Sequence, residues 1–271
     1  MILSQYGVIA SSGGSSYDPN AQAFFTASGI TDIIQKNAVN QLVLDLKSNG
    51  LWSKIIDFRP CVGGNATPHS INLKNPALYT LTFSSGWTHA SNGMTPNGTS
   101  AIAYGGLIPD NVGMTVNNNH VMLYSGTATG GGGSNQYEMG SGNNTASVLF
   151  SLFTRRSGNF GGYDSGNYIN NRNTAYPTDG AGIFIGKVNS DLTSKFYRNG
   201  TLLGTKSITI QASLSSYQVY LGGFNEMGST TYYSSKRIIT SSFGLGLSDT
   251  DVTNLTTIVN TFNTTLGRNT Y

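Results

Sequence analysis

The sequence has 271 residues and a formal net charge of +3, and only 10% of its residues are charged, against roughly 25% in an average domain. That charge is too small and too scattered for a nucleic-acid surface, with only Arg155-Arg156 and Lys236-Arg237 adjacent, and no apolar run approaches the ~18 residues of a membrane span. The single cysteine, Cys61, excludes an intrachain disulfide, and the abundance of Gly (35), Asn, Ser, Thr and Tyr (15) implies a surface of amides, hydroxyls and glycine.

Residues 1–17 read as an attachment or oligomerisation arm. An apolar stub carrying Ile2, Leu3, Tyr6, Val8 and Ile9 is followed by the flexible run Ser11-Ser12-Gly13-Gly14-Ser15-Ser16. The start has no Lys or Arg and is not expected to be a signal peptide. A chain without an export signal, yet surfaced like an extracellular protein, fits a virion component released by lysis.

Residues 18–70 read as a helical region. Asp18-Pro19 is an N-cap followed by the first helical position, and the helix through Ala21, Phe24 and Phe25 should stop at Gly29. A second helix starts near Thr31-Asp32, places Ile34, Ala38, Val39, Leu42 and Leu46 on one face, and ends at Asn49-Gly50. Leu51 to Phe58 is predicted as a short helix with Trp52 and Ile55 inward, before Pro60.

Residues 71–271 have the texture of a β-sandwich or barrel closed by a helix. Strands are predicted at 78–84, 120–124, 147–154, 182–188, 195–198, 201–206, 217–221 and 237–243, with Tyr79, Leu81 and Phe83 sharing one face. Asn199-Gly200 between two of them is the strongest hairpin signal. Thr129 to Ser134 is a glycine-rich loop with no following Lys to make a phosphate cradle. The last helix runs from Ser248 to about Leu266. Ser248 and Asp251 form its capping box, and Val252, Leu255, Val259, Phe262 and Leu266 form its docking stripe.

Several stretches resemble phage structural proteins. They are Ala27-Ser28-Gly29-Ile30-Thr31-Asp32, Gly50-Leu51-Trp52-Ser53-Lys54, Val62-Gly63-Gly64-Asn65-Ala66-Thr67 and Asn72-Leu73-Lys74-Asn75-Pro76. Phe83-Ser84-Ser85-Gly86-Trp87-Thr88-His89, Pro96-Asn97-Gly98-Thr99, Arg198 to Gly204 and Leu247 to Arg268 are similar to the concanavalin-A-like (laminin-G-like) domain that such proteins carry. The resemblance implies a mainly β, concanavalin-A-like antiparallel β-sandwich, or jelly roll, with a small N-terminal helical region and a docked C-terminal helix. It also implies a virion structural role in a fibre, spike or capsid decoration. Other virion proteins, further copies of the chain (a trimer first) and a host-surface glycan are the partners to expect. It carries over no catalytic residue.

The chemistry legible in the residues is that of binding. Glycoside hydrolysis needs paired carboxylates. Only Asp249 and Asp251 stand two apart, at a helix start, and the two glutamates, Glu138 and Glu226, lie in unrelated segments, so no enzyme activity is expected. His69, His89 and His120 share no metal-ligand spacing, and Asp164, Asp179 and Asp191 read as solvated loop residues. No metal or cofactor is therefore expected. Residues 157–180 concentrate aromatic rings with amide and guanidinium donors. Tyr163, Tyr168, Asn170, Asn171, Arg172 and Tyr176 are the candidate carbohydrate-binding residues. The same segment also reads as a strand pair with half-buried tyrosines. A glycan-degrading enzyme on this fold and a decoration protein with no ligand are the rival functions.

Overall fold

The computed structural model describes residues 17–128, 136–143, 148–166, 172–209 and 213–270. The chain runs α1 (Pro19–Ser28), α2 (Ile33–Ser48), β1 (Ile55–Arg59), α3 (Ala66–Ser70), β2 (Thr82–Phe83), β3 (Trp87–Ala90), β4 (Gly93–Pro96), β5 (Ala103–Tyr104) and β6 (Asn119–Ser125). It continues through β7 (Met139–Gly142), β8 (Leu149–Phe153), β9 (Gly161–Gly166), β10 (Asn173–Ala175), β11 (Gly182–Val188), β12 (Thr193–Arg198) and β13 (Thr201–Ser207). β14 (Tyr220–Leu221), β15 (Phe224–Glu226), β16 (Ser229–Thr231), β17 (Ile238–Gly244) and α4 (Asp249–Thr265) complete it.

Two sheets pack face to face. The first has the order β13-β12-β11-β6-β17-β4-β3, and β1 lies end to end with β4 along the same edge of β17. The second has the order β10-β9-β8-β7-β14-β5-β2, with β15 parallel to β7 and β16 antiparallel to β15. The remaining pairings are antiparallel, and the predicted sandwich is what the chain forms.

The central strands of the first sheet, β11, β6 and β17, are buried on both faces. In β6, Val121 and Leu123 point at the second sheet, whereas Met122 and Tyr124 point at the helices. This is why β6 and β11 read as continuous apolar runs rather than as alternation. α1, α2 and α4 share one apolar layer with that outer sheet face, through Phe24, Val39, Leu42, Val252, Leu255, Val259 and Phe262. Residues 18–70 and the sandwich therefore have a common core.

Local chemistry places the helices where expected. The Asp18 carboxylate accepts from the Asn20 amide at the start of α1, and Gly29 closes it at φ 70°. Asp32 caps α2, and the Ser248–Asp251 capping box is complete at α4. On the solvent side of α4, Thr253, Thr257 and Thr265 each donate a hydroxyl hydrogen bond to the carbonyl four residues earlier, which satisfies these hydroxyls within the helix. Asn199 and Gly200 both have positive φ, 51° and 77°, as their hairpin turn requires.

Four expectations are corrected. Leu51 to Phe58 is not a helix: one turn covers Trp52–Lys54, and Ile55–Arg59 then becomes a strand paired with β17, which suits its β-branched and aromatic residues. The predicted strand at 78–84 shrinks to Thr82–Phe83, because Tyr79 turns the chain at φ 60° and its carbonyl accepts from Arg59. Ile34, predicted on the inward stripe of α2, is 61% exposed. Asp164 is no loop residue but a fully buried member of β9. The predicted arm residues Ile2, Leu3, Tyr6, Val8 and Ile9, and the glycine run from Thr129 to Ser134, lie outside the described residues.

Candidate functional site

Alternation along β8 and β9 sorts their side chains between two environments. Phe150, Leu152 and Tyr163 enter the core between the sheets, so Leu149, Ser151, Phe153 and Asp164 stand on the outer face of the second sheet. Tyr163 is thus a core residue, a correction to its reading as a sugar contact. Its ring lies against Gly186 of the facing sheet, where any Cβ would come within 2.1 Å of it, and its hydroxyl donates to the Asn119 side chain. Burial holds its phenol well above the usual range.

The outer face is built from segments distant in sequence. Phe153 lies 5.0 Å from Tyr137 and 5.9 Å from Phe160, and Tyr137 lies 5.0 Å from Phe224 and 5.4 Å from Tyr232. Tyr176, 78% exposed, continues the patch at 6.4 Å from Phe160. Glycines make room for these rings: a Cβ at Gly140 would meet Phe224 at 3.0 Å, and one at Gly162 would meet Phe153 at 2.5 Å.

Guanidinium groups are interleaved with the rings. Arg156 stands 4.4 Å over Phe153, 4.6 Å over Phe160 and 5.3 Å over Tyr137. Arg172 donates from Nε to Asp164 Oδ1 at 2.6 Å and from Nη2 to Oδ2 at 2.8 Å, and also to the Tyr137 hydroxyl at 2.6 Å. The Ser151 hydroxyl donates to the same carboxylate at 2.6 Å. Burial alone would lower the Arg172 pKa, but Asp164 more than offsets it and the net shift is upward. Burial, together with the Asp164 charge, raises the Tyr137 phenol. Among the described residues neither Arg155 nor Arg156 pairs with a carboxylate, so the patch carries an excess of positive charge.

The turn between β8 and β9 holds Arg155, Arg156 and Phe160 in place. Beneath it the buried Lys236 ammonium meets Glu138 at 3.1 Å and donates to the Thr154 hydroxyl, while Glu138 accepts from the Thr154 amide at 2.6 Å. Glu138 and Asp164, the acidic groups of this face, are therefore both buried ion-pair members.

Of the predicted contact residues, Arg172 and Tyr176 lie on this face, Tyr163 lies beneath it, and Tyr168, Asn170 and Asn171 fall outside the described residues. Sequence reasoning missed Tyr137, Phe153, Arg156, Phe224 and Tyr232, whose one signal was the Arg155-Arg156 doublet. Elsewhere, a polar cleft of about 480 Å³ is lined by Lys54, Asn117, Asn118, Asn189, Ser190, Gly246 and Ser248, without an aromatic ring. His69 and His89 meet through their Nδ1 atoms at 2.9 Å, and no group of three or more His, Cys, Asp or Glu residues able to hold a metal occurs among the described residues.

No family model and no curated protein matches the sequence. Solved structures match the fold. The HCR/D W1238A mutant superposes with a TM-score of 0.54 at 10% identity, over 76% of this chain and 52% of that one. A mutant Trypanosoma rangeli sialidase displaying trans-sialidase activity superposes at 0.50 and 11% identity, over 83% of this chain and 39% of that one. The Ruminococcus gnavus IT-sialidase CBM40 matches at 0.40 and 18%, over 52% of this chain and 83% of that one. The chain spans about half the length of the first and well under half of the second. At such identities the likeness is one of fold: a mainly β, jelly-roll sandwich.

Proposed function

We propose that the chain is a non-catalytic carbohydrate-binding module that works as a displayed part of a virion, with its sugar site on the outer face of the second sheet. The observation that carries the binding part is the exposed Tyr176 ring beside the half-buried Phe160, seated over a buried layer of Phe153, Tyr137 and Arg156, with Arg155 and Arg172 half-buried nearby. Flat rings stack on the apolar face of a sugar, and amide and guanidinium donors take its hydroxyls. The excess of guanidinium over carboxylate disfavours a cationic sugar. The sialidase among the similar structures agrees with a carbohydrate ligand.

The non-catalytic part rests on the carboxylates. Glu138 is held by Lys236 and two hydrogen-bond donors, and Asp164 by Arg172 and Ser151. Protonating a leaving group would break those pairs. The virion placement and assembly as a trimer rest on the resemblance of residues 18–76 and of the sandwich stretches to phage structural proteins.

Glycan-array binding by the full chain tests the site. Binding that Tyr176→Ala abolishes, with the melting temperature unchanged, is the expected result. Binding indifferent to Tyr176→Ala moves the site elsewhere, no binding leaves a decoration protein, and release of reducing sugar makes the protein an enzyme. Mass spectrometry of purified particles tests the virion placement.

A further inference from the structure

The outer surface of the helical layer carries a groove of about 360 Å³ between α2 and α4. Ile34, Ala38 and Leu42 form one wall, and Ile258 and Phe262 form the other. Asn37, Gln41, Asp45, Thr261 and Thr265 make a polar rim. Its apolar floor is continuous with the core, since Ala38, Leu42, Ile258 and Phe262 are buried, but none of the described residues covers its mouth: Ile34 and its neighbour Ile33 stand mostly exposed. The apolar stripe of α2 is thus longer than the part that the described residues bury. A stripe of that kind on a packed helix implies one more partner.

The described chain begins beside this groove. The Tyr17 ring packs edge-on against Phe25 at 5.0 Å, lies under the Lys36 ammonium, and donates its hydroxyl to Asn37 Oδ1 at 3.3 Å. The Asp18 amide donates to Asn40 Oδ1 at 2.7 Å. The residues that fix the entry of the chain therefore sit on α2, and Asn37 belongs both to that anchor and to the rim of the groove. Upstream, Ser11 to Ser16 spans up to about 20 Å when extended, more than the roughly 16 Å of α2 between Ile34 and Asp45. Beyond it come Ile2, Leu3, Tyr6, Val8 and Ile9.

We infer that the groove between α2 and α4 is the seat of the chain's own residues 2–9, which lay their apolar side chains over Ile34, Ile258 and Phe262. Tethering decides between this segment and the same segment of a second copy. A short flexible linker gives an effective concentration in the millimolar range, above that of a free partner. Glycine and serine impose little stiffness on the path. The arm then completes the helical layer rather than leaving it to bind another subunit.

Disulfide trapping in the full chain tests this. The one native cysteine, Cys61, is buried, and burial pushes its thiol up to about 12, so it stays silent in mild oxidation. Leu3→Cys with Thr261→Cys, a groove-rim position, should close within one chain at a yield independent of protein concentration. Leu3→Cys with Thr174→Cys, on the far sheet, should not close. In a second measurement, Ile34→Glu changes an exposed residue and leaves the fold intact, and it should speed chymotryptic cleavage after Tyr6 at least about tenfold. A cross-link between chains would hand the groove to a second copy and overturn the inference. So would equal yields for the two pairs, or a cleavage rate unmoved by Ile34→Glu.

Discussion

Arg172 and Tyr176 stand four residues apart and carry different loads. Arg172 is the bidentate partner of a carboxylate with no exposure to solvent, so Arg172→Ala strands the Asp164 charge with Ser151 as its one remaining side-chain partner among the described residues. Breaking one side of a buried pair costs about 3–5 kcal/mol, and a lower urea midpoint is the expected outcome. Tyr176→Ala removes an exposed ring and should leave that midpoint within about 0.5 kcal/mol while it removes sugar binding. The histidines set a pH dependence. His120 is fully buried, with its Nδ1 2.6 Å from the Leu245 carbonyl, and burial pushes it down to about 4; burial, with the neighbouring His89, pushes His69 to about 3. In the unfolded chain both titrate near 6.5, so between about 6.5 and 4 the unfolded state binds more protons, and folding stability is lost as the pH is lowered through that window. His120 alone accounts for a loss on the order of 3 kcal/mol across that window. Urea melts at stepped pH should show the slope, and His120→Gln should flatten it.

At the scale of elements, stability concentrates where helices dock on the first sheet. Phe262 is buried where α4 packs against α2 in the helical layer, so Phe262→Ala should lower the unfolding free energy by about 3–5 kcal/mol. Ser248→Ala should cost about 1 kcal/mol, because the capping hydroxyl accepts from the Asp251 amide. These elements were legible because their signals are local: caps at Asp18, Asp32 and Ser248, two positive φ values at Asn199-Gly200, and unbroken apolar runs in β6 and β11. β7 was not legible. Met139-Gly140-Ser141-Gly142 has neither β-branched residues nor a clear alternation, and it is a strand because β8 and β14 flank it and the Phe224 ring covers its glycines. β1 looked helical for the same reason, since its partner lies at the other end of the sequence. The candidate face was legible only at Arg172 and Tyr176. Tyr163 carried the same aromatic signal, but which side of a strand a ring takes depends on what faces it, and here that is Gly186.

At the scale of the molecule, helices, first sheet and second sheet form three layers, and the central strands β11, β6 and β17 of the first sheet are buried on both faces. The proposed sugar face and the helical groove are therefore on opposite surfaces, so a particle gripping the helical side would leave the aromatic patch outward. Deleting residues 17–51 would uncover Ile258 and Phe262 of α4, and the expected product is aggregated protein rather than a smaller sandwich. The β1–β17 pairing has a consequence for synthesis. Ile55 faces Gly244, and at roughly 5–20 residues per second a ribosome holds β1 without its partner for roughly 10–40 s. Contacts so distant in sequence also close slowly. Nascent chains stalled short of Gly244 should be digested throughout by a protease. Resistance should arrive in one step, once the strand Ile238–Gly244 and the helix behind it have cleared the exit tunnel.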